Sequence, residues 1–164
     1  PARSGTRSSG RHATSMRALT FLVIEDVEDQ AVLVGIAARR AHPGLGVHTA
    51  GNGYEGIAYL EAALEGEPGY PMPNLVILDL YMPDADGFTV LEWAQQQGSQ
   101  FDTPIVVLTA SPSVQDEIRA LEQGAKAVLK KPAHVSELGE TVREIVEEWI
   151  GRGEIISAHI WEMG

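Results

Sequence analysis

The chain has 164 residues, of which 44% are hydrophobic, so it is long enough to bury the core of one globular domain. Its formal net charge of −11 makes binding to nucleic-acid phosphates unfavourable. No apolar run approaches the ~20 residues that span a bilayer, and the lack of cysteine excludes disulfides and thiol chemistry. We therefore expect a cytoplasmic protein that binds neither nucleic acid nor membrane.

Apolar runs and helix-like spacings of apolar residues alternate after the first 17 residues. In chain order they predict a strand at 18–24, a helix at 27–41, a strand at 45–50, a helix from Tyr54 to a Pro- and Gly-rich loop at 65–74, a strand at 75–79, a helix at 86–97, a strand at 104–110, a helix at 113–123, a strand at 127–130 and a helix at 135–150. Strands that are apolar on both faces, each followed by a helix, indicate a parallel sheet covered on both sides. The predicted fold class is α/β, doubly wound, with five strands.

Three regions follow from this pattern. Residues 1–17 contain four arginines, no acid and almost no large apolar side chain, which predicts a flexible tail or an addition before a native start at Met16. Residues 18–150 form the predicted domain. Residues 151–164 form a C-terminal extension whose large apolar side chains could pack back on the domain or contribute an arm to a homodimer. These side chains are Ile155, Ile156, Ile160 and Trp161.

Polar side chains stand where the predicted strands end. In doubly wound folds ligands bind outside the carboxyl ends of the strands, so residues distant in sequence can share one cleft there. The residues at these ends are Glu25, Asp26, Asp79, Thr109, Lys130 and Lys131.

This set of side chains indicates phosphoryl transfer. Neighbouring carboxylates repel one another, and a hard divalent cation such as Mg²⁺ removes the conflict. A metal, a carboxylate nucleophile and donors for phosphoryl oxygens are what phosphoryl transfer to aspartate needs. Asp79 would attack, and Mg²⁺, Lys131 and Thr109 would stabilise the transferring group.

Four segments carry a family resemblance: "VIEDVEDQ", "LVILDLYMPDADG", "VVLTAS" and "GAKAVLKKP". In this order they resemble the receiver domain of two-component response regulators (CheY-like), over about residues 19–150. The resemblance implies a flavodoxin-like sheet with strand order 2-1-3-4-5. It also implies that Asp79 is the phosphoacceptor and Asp26 a direct Mg²⁺ ligand. Glu25 would act on the ion through water, and Tyr81 would offer it a backbone carbonyl oxygen.

Thr109 would then be the switch hydroxyl and Lys131 the phosphate-binding lysine. Lys131 is preferred to Lys130 because it adjoins Pro132, and neighbours on a strand face opposite ways. The resemblance implies a Lys-Pro bond that is commonly cis. One position departs from the family, since receivers usually carry Tyr or Phe where this chain has Val128. Any output must therefore travel by another route, for which backbone movement of the loop 110–113 and the helix at 113–123 is our candidate.

The implied function is that of a single-domain response regulator, a switch rather than an enzyme. It would take a phosphoryl group from a sensor histidine kinase or a phosphotransfer protein and signal through altered partner binding or dimerisation. The loop 65–74 and the C-terminal extension are similar to those of stand-alone regulators of bacterial phytochrome-type kinases.

Two other functions remain open. The chain could be a receiver that serves as a dimerisation or docking module without phosphate, which Val128 would allow. A haloacid-dehalogenase-type hydrolase also places an aspartate after a strand, but it requires Asp-x-Asp, and Tyr81 stands at the second position. Other acids, namely Asp29, Asp84 and Asp86, are more typical of solvated loops and helix starts. The histidines show no paired metal spacing.

Overall fold

The computed structural model describes residues 18–152. The predicted tail, with Met16, lies outside the described residues, as do Ile155, Ile156, Ile160 and Trp161 of the C-terminal extension. No helix within 18–152 has both the length and the apolar character needed to cross a membrane.

Five strands and five α-helices alternate along the described residues. The strands are β1 (Thr20–Ile24), β2 (Gly46–Ala50), β3 (Leu75–Leu78), β4 (Ile105–Thr109) and β5 (Ala127–Lys130). The helices are α1 (Glu28–Ala41), α2 (Gly53–Leu64), α3 (Gly87–Gln97), α4 (Val114–Glu122) and α5 (Leu138–Arg152). Short 3-10 turns at Gly98–Gln100 and Val135–Glu137 follow α3 and precede α5.

The strands form one sheet in the order β2-β1-β3-β4-β5, and every neighbouring pair is parallel. The prediction of a doubly wound fold with strand order 2-1-3-4-5 is therefore confirmed. Because all strands run the same way, their carboxyl ends lie along one edge of the sheet. The register places Ile24 beside Leu78, and Thr109 beside Lys130.

The hydrophobic core has two layers, one on each face of the sheet. In β1 the side chains of Phe21 and Val23 pack in the layer built from α1 and α5. Leu22 and Ile24 belong to the opposite layer, which includes α2 and α3. Phe21 also meets Trp149 of α5 edge to face, with ring centroids 5.7 Å apart. Burial of each such side chain stabilises the fold by roughly 1.5–3 kcal/mol, so β1 is firmly held between the layers.

Several predicted boundaries shift by one residue at the edge that carries the polar cluster. β3 ends at Leu78, which leaves Asp79 just beyond the strand. α3 and α4 begin one residue later than predicted because Asp86 and Ser113 are N-caps. Their side-chain oxygens accept hydrogen bonds from backbone N–H groups of the first helical turn, at 3.1 and 3.0 Å. The caps fix where each helix starts relative to the strand ends.

The segment after β5 differs more from the prediction. Residues 135–137 form a 3-10 turn, closed by a hydrogen bond of 2.9 Å from Glu137 N–H to the His134 carbonyl, and α5 begins only at Leu138. The Lys131–Pro132 bond is trans, like every peptide bond within 18–152, so the expected cis bond is wrong here. The extended backbone of β5 continues into Lys131, and trans is the intrinsically favoured isomer of an X-Pro bond.

Gly87, the first residue of α3, is packed against the backbone of the polar edge. A Cβ atom built there would lie 2.5 Å from the Asp79 carbonyl oxygen and 2.8 Å from the Leu80 Cα. The Gly87 N–H donates to the Leu80 carbonyl at 2.9 Å, which holds the two segments together. Glycine is therefore required by this close approach of α3 to the strand end.

Gly87→Ala should lower the free energy of unfolding by about 1–3 kcal/mol, because the backbone atoms it meets cannot move aside cheaply. Urea unfolding measures this change. The matched control is Gly139→Ala in α5, where the nearest atom that the new Cβ would meet outside its own helix, on Ala37, lies 3.8 Å away. That variant should be neutral or more stable by up to ~1 kcal/mol. Equal destabilisation by both variants would contradict the packing described for Gly87.

Candidate functional site

The polar residues at the carboxyl edge are held there by the sheet's own hydrogen bonds. The backbone N–H groups of Glu25, Asp79 and Lys131 donate to carbonyl oxygens of neighbouring strands at 3.0, 3.1 and 2.8 Å. Each residue therefore extends the ladder one step past its strand. Thr109 is the last residue of β4 and is fully buried. Backbone pairing alone therefore fixes the positions of these three residues and of Thr109, independently of side-chain contacts.

Asp79 is the centre of the side-chain contacts. Its carboxylate is buried, with the residue only 7% exposed. Oδ1 accepts hydrogen bonds from the Thr109 hydroxyl at 2.9 Å and from the Tyr81 backbone N–H at 3.2 Å. Oδ2 accepts one from the Lys131 ammonium at 3.1 Å. Both oxygens are held by donors, so the carboxylate has a defined orientation toward the edge of the sheet.

Lys131 joins the acids into one cluster. Its ammonium donates to Glu25 Oε2 at 2.9 Å and to Gln30 Oε1 at 2.7 Å, besides Asp79. An ammonium has three N–H donors, and all three are used. Its neighbour Lys130 is exposed and makes none of these contacts, as expected for successive residues of an extended strand.

Gln30 was not among the predicted site residues. It lies in the first turn of α1, which follows closely after the acids at the end of β1, so its position in the chain could have placed it near them. A glutamine there is also what a solvated helix surface carries, and only the structure shows its contact with the ammonium.

Three carboxylates could hold a divalent cation. Glu25, Asp26 and Asp79 each offer an oxygen atom, and the three atoms lie within 4.8 Å of one another. Glu25 and Asp79 are buried, whereas Asp26 is exposed at the mouth of the cluster. This is the single group of three or more acid, His or Cys ligands found among residues 18–152. An all-oxygen donor set that is open on one side fits Mg²⁺, which keeps several waters.

The charge balance of the cluster favours a bound cation. Burial raises the pKa of Glu25 to about 7; the charge of Asp79 adds to this, and the Lys131 hydrogen bond opposes it. Burial alone would lower the pKa of Lys131, but its hydrogen bond to Glu25 and the charge of Asp79 outweigh burial and raise it. Lys131 therefore stays charged at neutral pH. Two buried acids share this one ammonium, so the cluster lacks positive charge. A divalent cation would supply it.

The rim of the cluster connects it to α4. Tyr81 is about half exposed, and its hydroxyl donates a hydrogen bond to the carboxylate of Asp116. Asp116 also accepts from the Ser113 N–H at 3.1 Å, as part of the capping box of α4. The hydrogen bond from Tyr81 holds the pKa of Asp116 below its usual value. Val128, by contrast, is buried in the core layer of α2 and α3.

The acids expected to be solvated lie outside the cluster. Asp29 is in the first turn of α1, and Asp86 caps α3 through the Thr89 N–H. Asp84 is exposed in the loop between β3 and α3, with a φ of 71° that Asp and Asn tolerate better than most residues.

Comparison with known proteins gives one consistent family. The response regulator receiver domain model matches residues 21–143. The DNA-binding dual master transcriptional regulator RpaA of Synechocystis is 34% identical over 126 residues, which cover 77% of this chain and 48% of that protein. The probable methanogenesis regulatory protein FilR2 of Methanothrix harundinacea is 33% identical over 131 residues, which cover 80% of this chain and 83% of that protein. The chain thus spans about half the length of RpaA and most of FilR2.

Solved structures with the same fold include regulators of light signalling. The phosphorylated cyanobacterial phytochrome response regulator RcpA has a TM-score of 0.74 and 27% identity, covering 85% of this chain and 99% of that one. The Mn²⁺-bound form of response regulator Rcp1 has a TM-score of 0.72 and 27% identity, covering 82% and 96%. Response regulator RPA3017, in red light signalling of R. palustris, has a TM-score of 0.69 and 26% identity. The match covers 80% of this chain and 94% of that one.

Proposed function

This chain belongs to the response regulator receiver domain family, and we propose that it accepts one phosphoryl group on Asp79 and signals through that change. The observation that carries the proposal is the setting of the Asp79 carboxylate. It is buried at a strand end, with Thr109 on one oxygen and Lys131 on the other. A carboxylate held in one orientation is prepared for in-line attack on phosphorus.

The donor would be a phosphohistidine of a sensor histidine kinase or of a phosphotransfer protein. A carboxylate oxygen of Asp79 forms the new O–P bond while the donor's N–P bond breaks, and the imidazole nitrogen keeps the electron pair. Lys131 and Thr109 then donate hydrogen bonds to phosphoryl oxygens, where charge accumulates in the transition state. No proton has to leave Asp79, because it reacts as the carboxylate.

Glu25, Asp26 and Asp79 would hold Mg²⁺, with the backbone carbonyl of Tyr81 as a further ligand. When bound, the ion supplies positive charge to the phosphoryl oxygens. The fit rests on the three carboxylate oxygens within 4.8 Å and on the buried acids that outnumber the Lys131 ammonium. A similar protein, response regulator Rcp1, has a solved Mn²⁺-bound form, which supports divalent-cation binding by this chain.

The proposed partners are a kinase and a second copy of the chain. The likeness to RcpA and to RPA3017 supports a phytochrome-type kinase. For the homodimer, Val114 and Ile118 of α4 are 65% and 48% exposed and lie one helical turn apart, and Val135 before α5 is 55% exposed. Such a row of apolar side chains is what a docking face requires. The absence of cysteine fits a cytoplasmic location for this exchange.

Incubation with acetyl phosphate and Mg²⁺ should add the mass of one phosphoryl group to the intact protein. Asp79→Asn should remove this addition, since the amide is not a nucleophile for phosphorus, and EDTA should slow it at least tenfold. The matched control is Asp84→Asn, an exposed acid in the following loop whose backbone suits asparagine. It should be phosphorylated like the wild type. A wild-type chain that gains no mass, or an Asp79→Asn variant that does, would overturn the assignment.

A phosphate-independent dimerisation module is the second candidate, because Val128 cannot act as a moving ring and the α4 row is exposed in any case. Sedimentation velocity with Mg²⁺ and beryllofluoride, a phosphoryl mimic, separates the two. A switch changes its sedimentation coefficient when the mimic binds, and Asp79→Asn does not respond. A module gives the same dimer in all samples. Ile118→Ser should weaken self-association in either case, whereas Val32→Ser on α1, 52% exposed, should not.

A further inference from the structure

The amide of Gln30 makes a contact that phosphoryl transfer to Asp79, as proposed above, does not by itself require. We propose that Gln30 is a positioning residue, which keeps the Lys131 ammonium in place while Asp79 is being phosphorylated. The inference rests on that proposed function and adds a residue to it.

The contact is short and well defined. Gln30 Oε1 lies 2.7 Å from Lys131 Nζ, the shortest of the three hydrogen bonds of this ammonium. Because an ammonium only donates, the amide must present its oxygen and not its nitrogen. The Lys131 side chain is only 11% exposed, so water has little room to replace a lost acceptor.

The other two acceptors would be engaged by the cation or by phosphorus during the reaction. Asp79 is consumed by it, since one of its oxygens becomes bonded to phosphorus. Glu25 belongs to the group of carboxylates that would face the cation, so it would be shared between the ion and Lys131. Gln30 is the third acceptor, and neither phosphoryl group nor cation competes for it. Its hydrogen bond is therefore the one that can persist from the resting to the phosphorylated site.

A neutral acceptor suits this place better than a charged one. A further carboxylate next to Glu25, Asp26 and Asp79 would add repulsion to a cluster that already has too many acids, and it would repel the incoming phosphoryl group. An amide oxygen holds the ammonium without adding charge. Gln30 is also fixed by its helix, because the next residue, Ala31, and Val34 are buried under α1.

Gln30→Met tests the role, because methionine has a similar length and lacks the strong acceptor. Phosphorylation by acetyl phosphate at saturating Mg²⁺ should slow about ten- to hundredfold, as expected for loss of a hydrogen bond to a charged group. In a Lys131→Ala background the same change should have no effect, since there is no ammonium to hold. Gln96→Met, on the exposed side of α3, is the matched control and should leave the rate unchanged.

A second measurement needs no phosphoryl donor. The protection of the Lys131 ammonium ¹H–¹⁵N signal from exchange should be high in the wild type and reduced in Gln30→Met, where two of the three acceptors remain. It should persist in Gln30→Glu, which keeps an acceptor at the same distance. A Gln30→Met variant with unchanged rate, equal slowing in the Lys131→Ala background, or unchanged exchange protection of the ammonium signal would each overturn the inference. If the wild type takes no phosphoryl group, the proposed function fails, while the ammonium signal still decides whether Gln30 holds Lys131.

Discussion

One ammonium group, on Lys131, serves two buried carboxylates, and this shortage of positive charge shapes the rest of the site. Glu25 and Asp79 lie 2.9 and 3.1 Å from it, and Asp26 stands at the open side. Burial makes the deficit costly, as the pKa of about 7 for Glu25 shows. A divalent cation would balance the negative charge of the acids, and a phosphoryl group would accept hydrogen bonds from the lysine. The two ligands would therefore complement each other at this site.

The fold supplies this arrangement through its backbone. Parallel pairing brings four strand ends to one edge, and the ladder hydrogen bonds continue one residue beyond β1, β3 and β5. Gly87 lets α3 approach the chain immediately after Asp79. The contact from Tyr81 to Asp116 then ties the same loop to the start of α4, whose exposed apolar row we propose as a docking face. Two residues, Tyr81 and Asp116, thus connect Asp79 to that surface. This path does not involve Val128.

The sequence was sufficient for the sheet and for the residues that meet at its edge, because apolar runs mark the strands and the acids, Thr109 and Lys131 stand at their ends. The contacts made from neighbouring helices could not be predicted. Gln30 looks like any helix-surface glutamine, and the partner of Tyr81 lies 35 residues away in the chain. The turn at 135–137 and the trans Lys131–Pro132 bond were missed because each is a local choice between states of similar energy.

We propose that the carboxylates around Asp79 form a divalent-cation site, and paramagnetic broadening by Mn²⁺ in an NMR titration tests this directly. We expect the first and strongest loss of amide signal at Glu25, Asp26, Asp79 and Tyr81, reversed by excess Mg²⁺ and weakened in Asp79→Asn. A second acidic surface provides the contrast, the groove along α2 lined by Glu55, Glu61, Glu65 and Glu67. Broadening that begins in that groove and spares the strand ends would contradict the account.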